Sequence, residues 1–79
     1  MLKFTLVENN QGKVLYKYFP EGGTNFGIVS FSEKTGDASI EVLAKNDKHG
    51  RYAMKLFKRI REMTSKYGAF ETEGTVAWY

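Results

Sequence analysis

The sequence predicts an α+β fold, an antiparallel sheet of about five strands with one helix packed on one face. Three observations lead to this fold class. The first half of the chain alternates apolar and polar residues, as strands with one buried face do, and a later segment changes to the three- and four-residue spacing of an amphipathic helix. The length of 79 residues suffices for one hydrophobic core. We therefore expect one domain, residues 1–79, with the element order ββββαβ.

The first two strands are predicted at Leu2–Glu8 and Lys13–Phe19, where apolar side chains recur at every second position. The segment NNQG at 9–12 is typical of a turn, so these strands are expected to form a hairpin. PEGGTN at 20–25 indicates a longer connection, because Pro20 has no amide to donate and two glycines tolerate positive φ.

Two further strands are predicted at Phe26–Glu33 and Ala38–Ala44. KTGD at 34–37 has the glycine placement of a tight hairpin turn between them. The last strand is predicted at Thr75–Trp78, with Glu73–Gly74 as the bend before it. Its tryptophan is expected to anchor the chain end in the core beneath the helix.

A helix of about five turns is predicted at residues 48–67. Asp47, or Asn46 beside it, is expected to cap the first turn by accepting hydrogen bonds from its amides. Gly68 suits the left-handed residue that closes a helix. The apolar stripe consists of Ala53, Leu56, Phe57, Ile60, Met63 and Tyr67.

The outward arc of this helix is strongly basic. Seven cations and one acid, Glu62, give the helical segment a charge of +6, and the rest of the chain carries −3. One interpretation is a solvated helix face. The other is a row of contacts to nucleic-acid phosphates, for which the expected residues are Arg51, Lys55, Lys58, Arg59 and Lys66.

The strands carry apolar side chains on both sides, although one helix can cover only one face of a sheet. One interpretation is that strand twist and residues at the strand ends fold over part of the second face. The other is an interface for a second copy or a protein partner, because large exposed apolar patches are uncommon on monomers. The expected interface residues are Tyr16, Tyr18, Phe26 and Ile28.

The stretch NFGIVSF, residues 25–31, partly matches the signature strand of the RNA recognition motif. Phe26, Gly27, Val29 and Phe31 fit, but Thr24, Asn25 and Ile28 stand where a basic residue, a glycine and a stacking phenylalanine belong. That fold also needs a helix between its first two strands, where this chain has a turn and a strand. The match is therefore no basis for a function.

Neither catalysis nor a cofactor is expected. The chain has no cysteine and one histidine, His49, which is placed on the apolar side of the first helical turn as a structural residue. The start of the chain lacks a signal-peptide pattern, and no stretch approaches the roughly 20 apolar residues of a membrane span. We expect a cytoplasmic protein with no membrane partner that is not an enzyme.

Three fragments, KTGDASIEVLAKND, RYAMKLFKRI and the terminal EGTVAWY, together resemble a group of short uncharacterised proteins from Firmicutes. Some of these are encoded in prophages or other mobile elements. The resemblance covers most of the chain after residue 14, including YFPEG. It implies no activity and no site residues, and at most an accessory or host-interaction role for a mobile element.

Two function hypotheses of different classes follow. The leading one is a small non-catalytic interaction protein that uses an aromatic sheet surface for self-association or for a protein partner. The alternative is nucleic-acid binding through the basic helix at residues 48–66. The first would be driven by apolar burial and the second by charge, so their dependence on salt distinguishes them.

Overall fold

The computed structural model describes residues 1–77, except for the side chain of Tyr67, and these form one antiparallel sheet with a single helix on one face. The sheet order is β4-β3-β2-β1-β5. The α+β class and the element order ββββαβ are therefore confirmed. The strands are β1 Leu2–Asn10, β2 Lys13–Pro20, β3 Gly27–Ser32, β4 Ala38–Val42 and β5 Glu73–Val76.

The helix α1 spans Arg51–Glu62 and continues into a wider π-helical turn at Met63–Tyr67. It is shorter than predicted at its start, because Gly50 takes a left-handed conformation with φ 70°. His49 consequently lies in an exposed turn before the helix and not on its apolar side. Gly68 follows the π-helical turn with φ 67°, as predicted.

The predicted cap by Asp47 is confirmed. Its buried carboxylate accepts hydrogen bonds from the backbone amides of Tyr52 and Ala53, both at 3.1 Å. The Tyr18 hydroxyl accepts the Ala44 amide at 3.0 Å. Burial raises the pKa of Tyr18, and the neighbouring Asp47 carboxylate raises it further. The helix start is thus tied to β2 through a carboxylate and a phenol.

The core lies between α1 and the sheet face that it covers, which we call the covered face. Phe4 and Tyr16 meet edge to face there, with ring centroids 5.6 Å apart. The Tyr16 hydroxyl donates to the Glu71 carbonyl at 2.6 Å and lies 3.3 Å from the Met63 sulfur. Burial, with the Glu71 charge as a smaller cause, raises the pKa of Tyr16 to about 12. The strand residues of this core are Leu2, Phe4, Val14, Tyr16, Tyr18, Val29 and Phe31.

The predicted turns at 9–12 and 34–37 are confirmed, with small shifts of the strand ends. Gln11 and Gly12 both have positive φ, 54° and 88°, and join β1 to β2. In the second turn the Gly36 amide donates to the Ser32 carbonyl at 2.7 Å.

The predicted bend at Glu73–Gly74 is wrong, because these two residues belong to β5 and pair with Thr5 and Phe4. A Cβ on Gly74 would lie 2.6 Å from the Phe4 ring, so the strand passes close over a core side chain. Trp78, the predicted anchor, lies outside the described residues.

Candidate interaction surfaces

The face of the sheet turned away from α1, which we call the open face, is defined by the strand register. Tyr16 lies opposite Val29 and Lys17 lies opposite Ile28. Because neighbours along a strand point to opposite faces, Tyr16 belongs to the covered face and Ile28 to the open face. The same rule places Leu15 and Phe19 with Ile28.

This register corrects the predicted interface set. Tyr16 and Tyr18 have no exposed surface and belong to the core, so they cannot contact a partner. Phe26 and Ile28 lie on the open face, with 42% of Phe26 exposed. The sequence pattern placed Tyr16 and Tyr18 together with Phe26 and Ile28 because alternation defines two sides of each strand. It does not show which sides of neighbouring strands lie on the same face of the sheet.

An apolar ridge crosses the open face. Phe19 and Phe26 pack with ring centroids 5.9 Å apart, and the Lys17 ammonium lies 4.6 Å from the centre of the Phe26 ring. Such a cation–π contact holds the ring in place while leaving its other side to solvent. The ridge consists of Leu15, Phe19, Phe26, Ile28 and Val42.

Val42 is a ridge residue that the sequence analysis missed. The pairing of β3 with β4 shifts by one residue, because Ile28 lies opposite Val42 while Val29 lies opposite Ile40. The irregularity turns Val42, which is 48% exposed, toward the open face beside Ile28. No sequence signal marks this bulge, since the alternation of the strand runs unbroken through it.

The charges of the open face are balanced. The register places Lys3 and Lys17 near its middle, while Glu73 lies at the β5 edge and Glu41 at the β4 edge. The Ser30 hydroxyl donates to the Glu41 carboxylate at 2.8 Å. Adding Lys13 and Glu8, the face carries three cations and three anions. It therefore has no net charge, whereas the whole chain has +3.

The exposed side of α1 and of the turns at its two ends, which we call the outer helix face, differs from the open face in its charge. It carries Lys48, Arg51, Lys55, Lys58, Arg61 and Lys66, all of them exposed. Glu62 is half-buried, and Met54, which is 60% exposed, is the large apolar side chain on this side.

Arg59 does not belong to the outer helix face, although it was expected to contact phosphates. Its guanidinium donates from Nε and Nη2 to the two carboxylate oxygens of Glu71, at 2.9 and 3.1 Å. It also lies 5.9 Å from the Phe4 ring. Arg59 therefore joins α1 to the segment before β5 and serves the fold.

Among residues 1–77, no group of three histidine, aspartate or glutamate side chains is arranged to hold a metal ion. None of the helices in that range is long and apolar enough to cross a membrane. A solvent-open depression of about 580 Å³ lies over β1 and β5 beside Phe19, and it is also lined by Phe4, one lysine, one glutamate, threonines and glycines.

Comparisons with family models, with curated proteins and with solved structures found no match to this chain. Any functional conclusion therefore depends on the two surfaces described above. One is apolar and charge-balanced, and the other is cationic.

Proposed function

We propose that this chain is a small, non-catalytic interaction protein of the cytoplasm whose partner is a second copy of itself, bound through the open face. The observation that carries the proposal is the apolar ridge. Phe26 and Val42 are between two-fifths and one-half exposed, and they adjoin Phe19 and Ile28 on the face that α1 does not cover. Burying such a ridge would gain about 25 cal/mol per Å² of apolar surface.

The charge pattern supports a second copy as the partner. A face with equal numbers of cations and anions can pack against a copy of itself without net repulsion, even though the protein as a whole carries +3. Two-fold symmetry also lets every lysine–glutamate contact form twice. A uniformly charged partner would meet as much repulsion as attraction on this face.

The resemblance to short Firmicutes proteins, some of them encoded in prophages, supports an accessory role for a mobile element. Such a role can be filled by recognition alone, which agrees with a function built on a binding surface.

Light scattering coupled to gel filtration tests the proposal. We expect the mass to rise from that of a 79-residue monomer toward twice that value between micromolar and near-millimolar concentration. Phe26→Ser should shift this transition to at least roughly tenfold higher concentration, because a two-fold dimer loses the ring in both copies and truncating a central aromatic anchor removes about 1 kcal/mol or more of binding free energy each time. Circular dichroism should show that the variant remains folded.

Met54→Ser is the matched control. Met54 is more exposed than Phe26 but lies on the outer helix face, so its removal should leave the dimerisation constant unchanged. A monomer throughout the concentration range would contradict self-association. If Met54→Ser and Phe26→Ser weaken dimerisation equally, the contact between the two copies does not lie on the open face.

A further inference from the structure

We propose that the outer helix face binds nucleic acid through the phosphate backbone, independently of base sequence. This would be a second function, separate from association through the open face. It rests on the placement of uncompensated cations along one side of α1, and it needs no contact with the apolar ridge.

Five cations of this face form no ion pair with an acidic side chain in the described part of the chain. Within residues 1–77, the ion pairs with an acidic side chain are those of the Met1 ammonium with Glu21 and of Arg59 with Glu71. Neither pair involves the outer helix face. The cations that form no such pair are Lys48, Arg51, Lys58, Arg61 and Lys66.

The remaining acids lie on the other side of the molecule or are already engaged. Glu21 accepts a short hydrogen bond from the Tyr52 hydroxyl, which is the main reason that its pKa is lowered, and Glu41 accepts the Ser30 hydroxyl. Glu71 is held by Arg59. Of the described acids, Glu62 at the end of α1 and Asp47 before its start lie beside the outer helix face, and Asp47 is buried and bound by the amides of Tyr52 and Ala53. The six cations of this face therefore outnumber its acids.

The spacing of the cations suits a linear polyanion. Arg51 and Lys58 are seven residues apart, so they lie on the same side of α1 and about 10 Å from each other along its axis. Lys66 continues the row beyond the end of α1. A duplex carries one negative charge per about 1.7 Å of its axis, whatever its sequence, so the row would meet several phosphates at once.

The same chemistry fits an anionic membrane less well. Helices that bind membrane surfaces insert an apolar face among the lipids. The apolar face of α1, with Leu56, Phe57 and Ile60, is buried against the sheet. Among the described side chains, Met54 is the one large apolar group on the outer side, which is too little to insert.

Fluorescence anisotropy with labelled 20-base-pair duplex DNA and a 20-nucleotide single strand tests the proposal on the full chain. With three phosphate contacts, the affinity for the duplex should fall roughly 40-fold between 50 and 200 mM salt, because log K changes by about −0.9 per contact per log unit of salt. Two unrelated duplex sequences should bind equally well.

The decisive variant is Arg51→Gln/Lys58→Gln/Arg61→Gln, which should flatten the salt dependence by about two to three slope units and abolish most binding at 50 mM salt. The matched control is Lys34→Glu/Lys45→Gln. It removes the same net charge from exposed positions outside the outer helix face, and it should keep both slope and affinity within about twofold. Both variants should melt at the wild-type temperature.

Three outcomes would overturn the proposal. One is the absence of binding to either probe at 50 mM salt and 100 µM protein. Another is an equal loss of nucleic-acid affinity in the decisive variant and in its control, which would show that net charge matters and the position of the cations does not. The third is tighter binding to polyglutamate, or to vesicles rich in phosphatidylserine, than to nucleic acid, which would assign the surface to a different polyanion.

Discussion

The covered face and the open face of the sheet are formed by the same strands and carry similar side chains, but they lie in different surroundings. On the covered face Phe4 is 1% exposed, packed on Tyr16 and close to Arg59. On the open face Phe26 is 42% exposed and touches Phe19 and the Lys17 ammonium.

Residue type alone therefore does not decide which aromatic side chains stabilise this fold. The deciding factor is the position of α1, since a side chain stabilises the fold in proportion to the surface that folding removes from water. The covered face should therefore control stability, and the open face should control association. Four substitutions test this division between the two faces.

The largest effect is expected from Phe4→Ala. Loss of a fully buried ring should lower the free energy of unfolding by about 3–5 kcal/mol, because the transfer term and a cavity add together. Phe26→Ala should change it by less than about 1 kcal/mol. Urea unfolding at micromolar concentration compares them. If Phe4→Ala does not fold, Phe4→Leu should still show a loss of about 1 kcal/mol. Similar losses for Phe4→Ala and Phe26→Ala would contradict the distinction between the faces.

Gly27→Ala is expected to come next. A Cβ on Gly27 would lie 2.3 Å from the Tyr18 ring and 2.5 Å from the Val42 carbonyl oxygen, so β3 or the ring must move. Overpacking of this kind lowers stability by about 1–3 kcal/mol. The control is Gly23→Ala, because a Cβ on Gly23 would lie 3.6 Å from the Pro20 carbonyl oxygen, an ordinary contact distance. Its melting temperature should be almost unchanged. If Gly27→Ala melts at the same temperature as the wild type, the surrounding core can adjust to the added methyl group.

Asp47→Ala tests how α1 is held over the covered face. Removing the carboxylate leaves the amides of Tyr52 and Ala53 without their acceptor, and the expected loss is about 1–2 kcal/mol. Chemical unfolding should show a smaller loss for Asp47→Asn, whose amide oxygen still accepts one bond. Asn46→Ala, at the exposed neighbouring position, should be neutral within about 0.5 kcal/mol. A larger loss of stability for Asn46→Ala than for Asp47→Ala would show that Asp47 does not cap the helix.

Tyr16→Phe should have the smallest effect near neutral pH, about 0.5–1.5 kcal/mol, because the Glu71 carbonyl loses its donor. Its pH dependence is more informative. The pKa of Tyr16 is raised from 10.0 to about 12, so the protonated phenol favours the folded state. That contribution is complete below pH 10 and is lost as the pH rises toward 12.

The free energy of unfolding measured at pH 8 and at pH 11 checks this sign. The wild type should lose more stability between the two values than Tyr16→Phe does. Tyr18, whose pKa is also raised by burial, is present in both proteins and does not enter the difference. An equal loss in both would mean that Tyr16 titrates normally in the fold.

Much of the fold could be predicted because its signals are local. The turn at Gln11–Gly12 needs residues that tolerate positive φ, Gly68 closes the helical segment for the same reason, and Asp47 caps the helix from nearby in the chain. The boundaries were less accurate. The helix starts after Gly50, and Glu73–Gly74 is part of a strand whose pairing partner lies about 70 residues away in β1.

The candidate surfaces were predicted only in part. Phe26 and Ile28 are on the open face, but Tyr16 and Tyr18 are in the core. Of the expected phosphate contacts, Arg59 is bound to Glu71. Both errors concern residues whose partners are distant in sequence, so no pattern within a strand or a helix could have identified them.

Local sequence signals specify the elements, their order and the two apolar sides of each strand, because hydrophobic spacing, caps and turn residues act over a few positions. Tertiary structure decided which side became the core. The register between β2 and β3 aligned Tyr16 with Val29, and the bulge in β4 turned Val42 to the open face. Strand pairing and the docking of α1 depend on contacts between residues far apart in the chain. These contacts decide which apolar side of the sheet is buried as the core and which is left as the ridge.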